Sequence, residues 1–358
     1  MKTWKRIALS SSAVVVVGAI AVAGRALIMG GMFADVTPGF NGECRTIGGV
    51  VGVEDLQIDR KDNLIFLSAS DRRANPPSKL DGIYTLKLND PMAKPVRLSG
   101  TPKDFHPHGI SLFRAGDGSL TLMAVNHVRS LNREHSSINI FTVTVENGEA
   151  KLSEIGDIGS DKLVSPNDVV AVGKEQFYVT NDHGNTTPIG QTLENYLMLP
   201  RANVVYFDGN VFKEVANNLI FANGINVSPD GNRIYVAETT GHRIQTFTRD
   251  LFSGKLTQEA SLDLPSGPDN IDVDEKGDLW IAGHTKLFDV VAYGKDPSKP
   301  SPSEIFRLPV KNGVPQPAQR VYANLGQGIG AASVGAIAGG HLYIGSIFDS
   351  KILDCVLP

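Results

Sequence analysis

Short apolar runs recur along the chain, each entered from a Gly, Asp or Asn turn and each leaving into a small or polar residue: 64–68, 122–126, 177–181, 234–238, 279–283 and 342–346. Successive runs begin 45 to 63 residues apart. That spacing accommodates a four-stranded antiparallel sheet per unit and exceeds a solenoid turn, so six copies predict an all-β chain folded as a six-bladed β-propeller. The clearest introducing turn is Ser228-Pro229-Asp230-Gly231-Asn232, where Pro presets φ and Gly supplies a positive φ. If each run is the second strand of a blade, the segment just upstream starts the innermost strand and faces the central channel. Those segments read Val53-Glu54-Asp55-Leu56, His106-Pro107-His108-Gly109-Ile110, Ser165-Pro166-Asn167-Asp168-Val169, Ala222-Asn223-Gly224-Ile225-Asn226 and Pro268-Asp269-Asn270-Ile271-Asp272. They predict a ring of acids and amides at equivalent positions around one axis.

Composition fits this picture. With 358 residues, 41% of them apolar, the chain can fill a large core, and its 37 glycines and 20 prolines are spread along it as turns are. The first 26 residues carry Lys2, Lys5, Arg6 and Arg25 and no acid around an uncharged run from Ile7 to Gly24. This reads as a signal peptide or a signal anchor: Ala21-Val22-Ala23 offers a cleavage site, yet the run is near the minimum for spanning a bilayer. Residues 27–358 form the propeller domain, placed in the secretory pathway, extracellular or membrane-anchored on the non-cytoplasmic side. Net charge is −4 overall and −8 once the leader's four basic residues are set aside, which argues against nucleic acid as a partner. The chain's two cysteines, Cys44 and Cys355, are either two separate buried thiols or a bridge that ties the ends of the ring. An oxidising destination favours the bridge.

Clustered carboxylates repel and desolvate one another unless a cation neutralises them. Glu54, Asn167, Asn223, Asp269 and Asn270 offer oxygen donors only, which specifies a hard cation and suits calcium better than magnesium or zinc. Asp55 and Asp168 follow two of these ligands, alternating to the other strand face or lying deeper, where they would hold a second ion. His108, after a rigid Pro, and His127, at the end of the second unit's recurrent strand, are placed to relay a proton beside the cation. His183 and His284 are further channel-side candidates.

These residues, together with the stretches Asn167 to Gly173, Phe177 to His183, Phe221 to Gly231 and Gly277 to Trp280, resemble the serum paraoxonase/arylesterase family, six-bladed calcium-dependent lactonases and esterases. The similarity runs from about Cys44 to Cys355. It implies two calcium ions: a catalytic one on Glu54, Asn167, Asn223, Asp269 and Asn270, and a structural one on Asp55, Asp168 and the Ile110 carbonyl. It further implies a His108–His127 dyad, a Cys44–Cys355 disulfide, and a second relay at Asp182 and His183. The implied chemistry is hydrolysis of lactones and aryl esters by a His-activated water, or with a ligand acid, Glu54 or Asp269, as base or nucleophile instead, with a small-molecule lactone or ester as partner and membrane association through the N-terminal hydrophobic helix.

Two segments depart from the family. Where relatives carry an apolar and aromatic loop over the site, this chain reads Ser68-Ala69-Ser70-Asp71-Arg72-Arg73-Ala74-Asn75-Pro76-Pro77, which points to a more polar or acidic lactone. The segment 187–199, where the family places a membrane-associated helix, is only modestly amphipathic. Phe221, Ile347 and Phe348 are expected as apolar pocket walls. Two other readings are a gluconolactonase-type propeller hydrolase, disfavoured by the His-Pro-His-Gly-Ile segment and the terminal cysteines, and a non-catalytic, calcium-stabilised binding propeller, disfavoured by the complete ligand and His set.

Overall fold

The computed structural model describes residues 18, 20–88, 90–130 and 133–358. Most of the leader expected over residues 1–26 lies outside them. Residues 20–29, which run past its end, form a helix, α1, and no helix among the described residues is long and apolar enough to cross a membrane.

Six four-stranded antiparallel sheets make the six blades expected from the repeat. Their innermost strands are Val53–Asp59, Pro107–Arg114, Pro166–Ala171, Ala222–Val227, Gly267–Val273 and Ala332–Ala338, for blades 1 to 6 in order. The recurrent runs fall on the second strands: Leu64–Ala69, Leu120–Ser130, Phe177–Asn181, Arg233–Glu238, Leu279–His284 and His341–Ser346. Each second strand is buried on both faces, which is why it reads as a continuous apolar run rather than an alternating one. In blade 1, Leu64 and Phe66 pack toward blade 2 while Ile65 and Leu67 pack toward blade 6. In blade 3, Phe177 and Val179 face blade 2 and Tyr178 faces blade 4.

The ring closes by exchange of a strand from the other end of the chain. Glu43–Gly48 is the outermost strand of blade 6, paired antiparallel with Lys351–Val356, and Cys44 stands directly opposite Cys355. Those two cysteines form the disulfide. The bridge spans 311 residues of sequence, and on a chain-entropy model a loop of that length contributes on the order of 5 kcal/mol.

Turns joining second to third strands lie at the same end of the ring as the starts of the innermost strands, and three of them are enlarged. Blade 1 carries the 70–81 loop, blade 3 carries helix α2 (Pro188–Leu197), and blade 5 carries helix α3 (Leu287–Lys295). Thr187 caps α2 by accepting the Gly190 N–H, and Pro188 begins it. On α2, Ile189, Leu193 and Tyr196 are exposed, whereas Glu194 is buried and accepts the Gly184 N–H at 3.0 Å. In blade 2 the second strand and Arg133–Glu146 run on as a long hairpin. The end where the innermost strands begin is therefore the more built up, the opposite end carrying the short hairpin Val310–Lys311 with Val314–Pro315.

Candidate active site

The built-up end opens into a cavity of about 420 Å³ whose floor includes Glu54, His108, Asn167, Asn223 and Asp269. A single backbone device aims all of them. Every innermost strand slips register against its partner at its channel end, between Val53 and Asp55, Pro107 and Ile110, Pro166 and Val169, Ala222 and Ile225, Pro268 and Ile271, and Ala332 and Val334. A bulge inserts an extra residue and turns the strand, so neighbours in sequence such as Asp269 and Asn270 both serve the site. Asp55 and Asp168, expected either to alternate to the other strand face or to lie deeper, sit at these bulges. Close approach of adjacent strands also requires glycine. A Cβ on Gly109 would stand 2.1 Å from Asp168 Oδ1, and one on Gly224 would stand 2.5 Å from the Asp269 carbonyl oxygen. Blade 2 brings an imidazole rather than an oxygen, and blade 6 brings Ser333, whose hydroxyl donates to the Glu54 carbonyl at 2.7 Å.

The floor's hydrogen bonds are one-sided. Asn167 donates its amide N–H to Asp182 Oδ2 at 3.3 Å, Asn223 to Thr239 Oγ1 at 3.0 Å, and Asn270 to Glu54 Oε1 at 2.8 Å. Their oxygens, Asn167 Oδ1, Asn223 Oδ1 and Asn270 Oδ1, are buried with no hydrogen-bond partner among the described residues, as is Glu54 Oε2. Each orphaned acceptor costs about 1–3 kcal/mol unless something electropositive meets it. With the carboxylate of Asp269 these atoms form an oxygen-only set suited to a hard cation. Among the described residues no three His, Cys, Asp or Glu side chains group as a metal centre, so a cation here would depend on the amides as much as on the acids.

Charge around the floor follows burial. Burial, then the charges of Asp168 and Glu54, push the Asp55 carboxyl well above its usual range, and burial raises Asp168 likewise. Asp269 is raised by burial, against the pull of His284, whose Nε2 lies 2.7 Å from Asp269 Oδ2. For Glu54 the burial effect is outweighed by His108 and Arg72, and its carboxyl falls below the usual range.

Asp55 and Asp168 differ from the residues that precede them. Asp55 accepts from Leu56 N at 2.7 Å and Ile110 N at 2.8 Å, and Asp168 accepts from Val169 N at 2.7 Å and Ile225 N at 2.8 Å. Each carboxylate thus stitches its own innermost strand to that of the next blade. Ile110 meets Asp55 through its amide N–H.

His108 and His127 are joined, Nδ1 to Nε2, at 2.9 Å, and His127 Nδ1 meets Ser136 Oγ at 2.9 Å. Ser136 lies on the strand paired with that of His127, opposite it in register, so the long hairpin of blade 2 supplies the outer end of this line. His108 Nε2 stands 3.5 Å from Glu54 Oε1, and the His108 carbonyl accepts from the Ser68 hydroxyl. His183 has both ring nitrogens engaged, with Asp182 Oδ1 at 2.7 Å and Asn195 Oδ1 at 3.0 Å. Burial opposes its protonation, but Asp182 outweighs burial and raises its pKa, so it braces Asp182 and, through it, Asn167.

Apolar walls come from Phe221 and Ile347, from Leu287 and Phe288 of α3, and from Met29 of α1. Phe348 does not line the cavity. Its ring packs edge-on against Tyr293 and under the Arg73 guanidinium, 4.7 Å from ring centroid to guanidinium carbon. The residues that sequence reasoning passed over are Thr239, which fixes the Asn223 amide, Ser136, and Met29. Thr239 and Ser136 act through residues 16 and 9 positions away, and no local motif marks them.

Residues 72–357 match the family model described as Arylesterase. Human serum paraoxonase/arylesterase 2 is 35% identical over 324 residues, and human serum paraoxonase/arylesterase 1 is 35% identical over 326; each alignment covers 88% of both chains. Among solved structures, a luciferin-regenerating enzyme superposes with a TM-score of 0.55 at 15% identity, covering 88% of this chain and 95% of that one. The PQQ-bound aldose sugar dehydrogenase of Streptomyces coelicolor gives 0.52 at 13% identity, covering 89% and 99%. At such identities the structural likeness shows the propeller fold alone, whereas the sequence matches cover most of the chain at 35% identity. The chain belongs to the arylesterase family.

Proposed function

We propose that this carboxylic-ester hydrolase is a calcium-dependent lactonase and arylesterase. In this reading Glu54, Asn167, Asn223, Asp269 and Asn270 hold the catalytic ion and His108 acts as the general base. The observation that carries it is the set of four partnerless buried oxygens on Glu54, Asn167, Asn223 and Asn270 beside an imidazole. A bound calcium would polarise the substrate carbonyl and stabilise negative charge on its oxygen. The remaining work falls to the chain itself. With His127 Nδ1–H donating to Ser136 Oγ, His127 Nε2 accepts from His108 Nδ1–H, which leaves the lone pair of His108 on Nε2, near Glu54 at the floor. That nitrogen takes a proton from the attacking water, and His127 spreads the resulting charge. Phe221, Ile347, Leu287 and Phe288 seat the apolar part of the acyl or leaving group and exclude water.

A second, structural ion between Asp55 and Asp168 is part of the proposal, supported by two buried carboxylates that face each other's charge with lone pairs left beyond their backbone bonds. A secretory destination is supported by the disulfide, since such bridges persist in oxidising compartments. Metal content read by mass spectrometry, together with γ-lactone and phenyl acetate hydrolysis, tests the reading. It expects calcium to co-purify and both substrates to be turned over; an active enzyme free of calcium would overturn it.

A further inference from the structure

The first histidine of His106-Pro107-His108 has no part in the hydrolysis just described, yet it is the more deeply buried of the two. Both of its ring nitrogens face carboxylates: Nδ1 lies 2.7 Å from Asp81 Oδ2, and Nε2 lies 2.9 Å from Asp104 Oδ1. Asp81 ends the 70–81 loop of blade 1. Its carboxylate also accepts the Ser70 hydroxyl at 2.8 Å and the Asp71 N–H at 2.9 Å from the start of that loop, and its carbonyl accepts from Arg97 Nη2 at 2.7 Å. Burial would raise the Asp81 carboxyl, but the bonds from His106, Asp71 and Ser70 outweigh it and hold the group below the usual carboxylate range. A buried carboxylate with this many donors is a fixed point in the packed ring.

His106 carries that fixed point to both members of the imidazole pair. Its carbonyl accepts the His127 N–H at 3.2 Å, and its own N–H donates to Asn126 Oδ1 at 2.9 Å. Toward His108 the only intervening residue is Pro107, whose ring locks φ and passes on any displacement. His108 needs such a support because it sits in the bulge. The innermost strand of blade 2 pairs with its neighbour at Pro107 and again at Ile110, while His108 and Gly109 between them have no partner in the register. Strand pairing therefore does not set the direction of the His108 imidazole, and the groups packed around the bulge do.

We infer that His106, clamped by Asp81, is a positioning residue that keeps His108 and His127 within hydrogen-bonding distance and aims His108 at the floor. This rests on the reading of His108 as the general base and deepens it. The blade 1 loop thereby becomes part of the proton-accepting apparatus of blade 2. A reacting group displaced by about 1 Å can lose up to about 100-fold in rate, so the signature is a fall in kcat with little change in KM.

The test uses the full-length enzyme carrying Asp81→Ala, Asp81→Asn or, as a control, His341→Ala. The control breaks a like pair, His341 Nδ1 to Asp354 Oδ1 at 2.6 Å, at the start of the second strand of blade 6, the opposite end of the ring. With phenyl acetate as substrate, well below each variant's melting temperature, Asp81→Ala should lower kcat about 10- to 100-fold with KM within about twofold. Asp81→Asn keeps an acceptor for the Asp71 N–H and a polar group toward His106, so its loss should be only about threefold. His341→Ala should leave kcat within about twofold. A second readout does not use turnover. The downfield imidazole N–H proton of the His108–His127 bond, assigned by its disappearance in His127→Gln, should shift or broaden in Asp81→Ala and stay in place in His341→Ala. If Asp81→Ala does not fold, Asp81→Asn carries both readouts. An unchanged resonance, or a kcat loss matched by His341→Ala, would overturn the inference. A resonance that responds to Asp81 in a protein that shows no turnover, or whose turnover ignores both Asp81→Ala and His108→Gln, would keep the positioning link and overturn His108 as the base.

Discussion

Glu54 and Asp55 are consecutive acids on one strand, as Asn167 and Asp168 are consecutive polar residues on another, yet they live in different layers. Glu54 Oε2 and Asn167 Oδ1 have no hydrogen-bond partner among the described residues, while every oxygen of Asp55 and Asp168 accepts a backbone N–H. The upper layer is incomplete without a ligand. The lower layer holds neighbouring blades in register. One bulge per innermost strand produces both, which teaches that a ring fold can separate reactivity from integrity by a single residue step.

Substitutions in the two layers should therefore fail differently. The largest effect is expected at Asp269→Asn, which removes one of the two floor carboxylates and the partner of His284: turnover should fall about 1,000-fold, and calcium affinity measured by titration should fall with it. Next is His108→Gln, for which kcat should drop about 100-fold or more with a thermal midpoint within about 2 °C of the parent. Asp55→Ala inverts this pattern. It strands the N–H groups of Leu56 and Ile110 at about 1–3 kcal/mol each, so scanning calorimetry should show a midpoint lowered by on the order of 5–10 °C. Equal stability losses in His108→Gln and Asp55→Ala would erase the distinction between layers. The smallest effect is expected at Thr239→Val, which frees the Asn223 amide to rotate; calcium affinity should weaken about tenfold while the fold persists.

Much of this was legible in the sequence because the blade repeat is a local signal. The runs beginning at Leu64, Leu122, Phe177, Ile234, Leu279 and Leu342 locate the second strands by burial on both faces, and the polar segments upstream then fall on the channel. The bulges were not legible. They depend on how closely neighbouring innermost strands approach, a property of the packed ring to which Gly109 and Gly224 are the visible sequence trace. Helix α3 was missed because Leu287–Lys295 has no capping side chain at its start. The brace role of His183 and the exclusion of Phe348 from the cavity follow from partners far away in sequence, Asn195 in the first case and Arg73 with Tyr293 in the second.

On the proposed reading, hydrolysis depends on a calcium ion held by the orphaned oxygens of the floor. The first measurement is turnover of phenyl acetate and a γ-lactone by the full-length enzyme before chelation, after it, and after calcium or magnesium is restored. Activity that disappears with the chelator and returns with calcium, but not with magnesium, is the predicted result. Activity that persists in protein stripped of metal would contradict it and leave the four oxygens without their explanation.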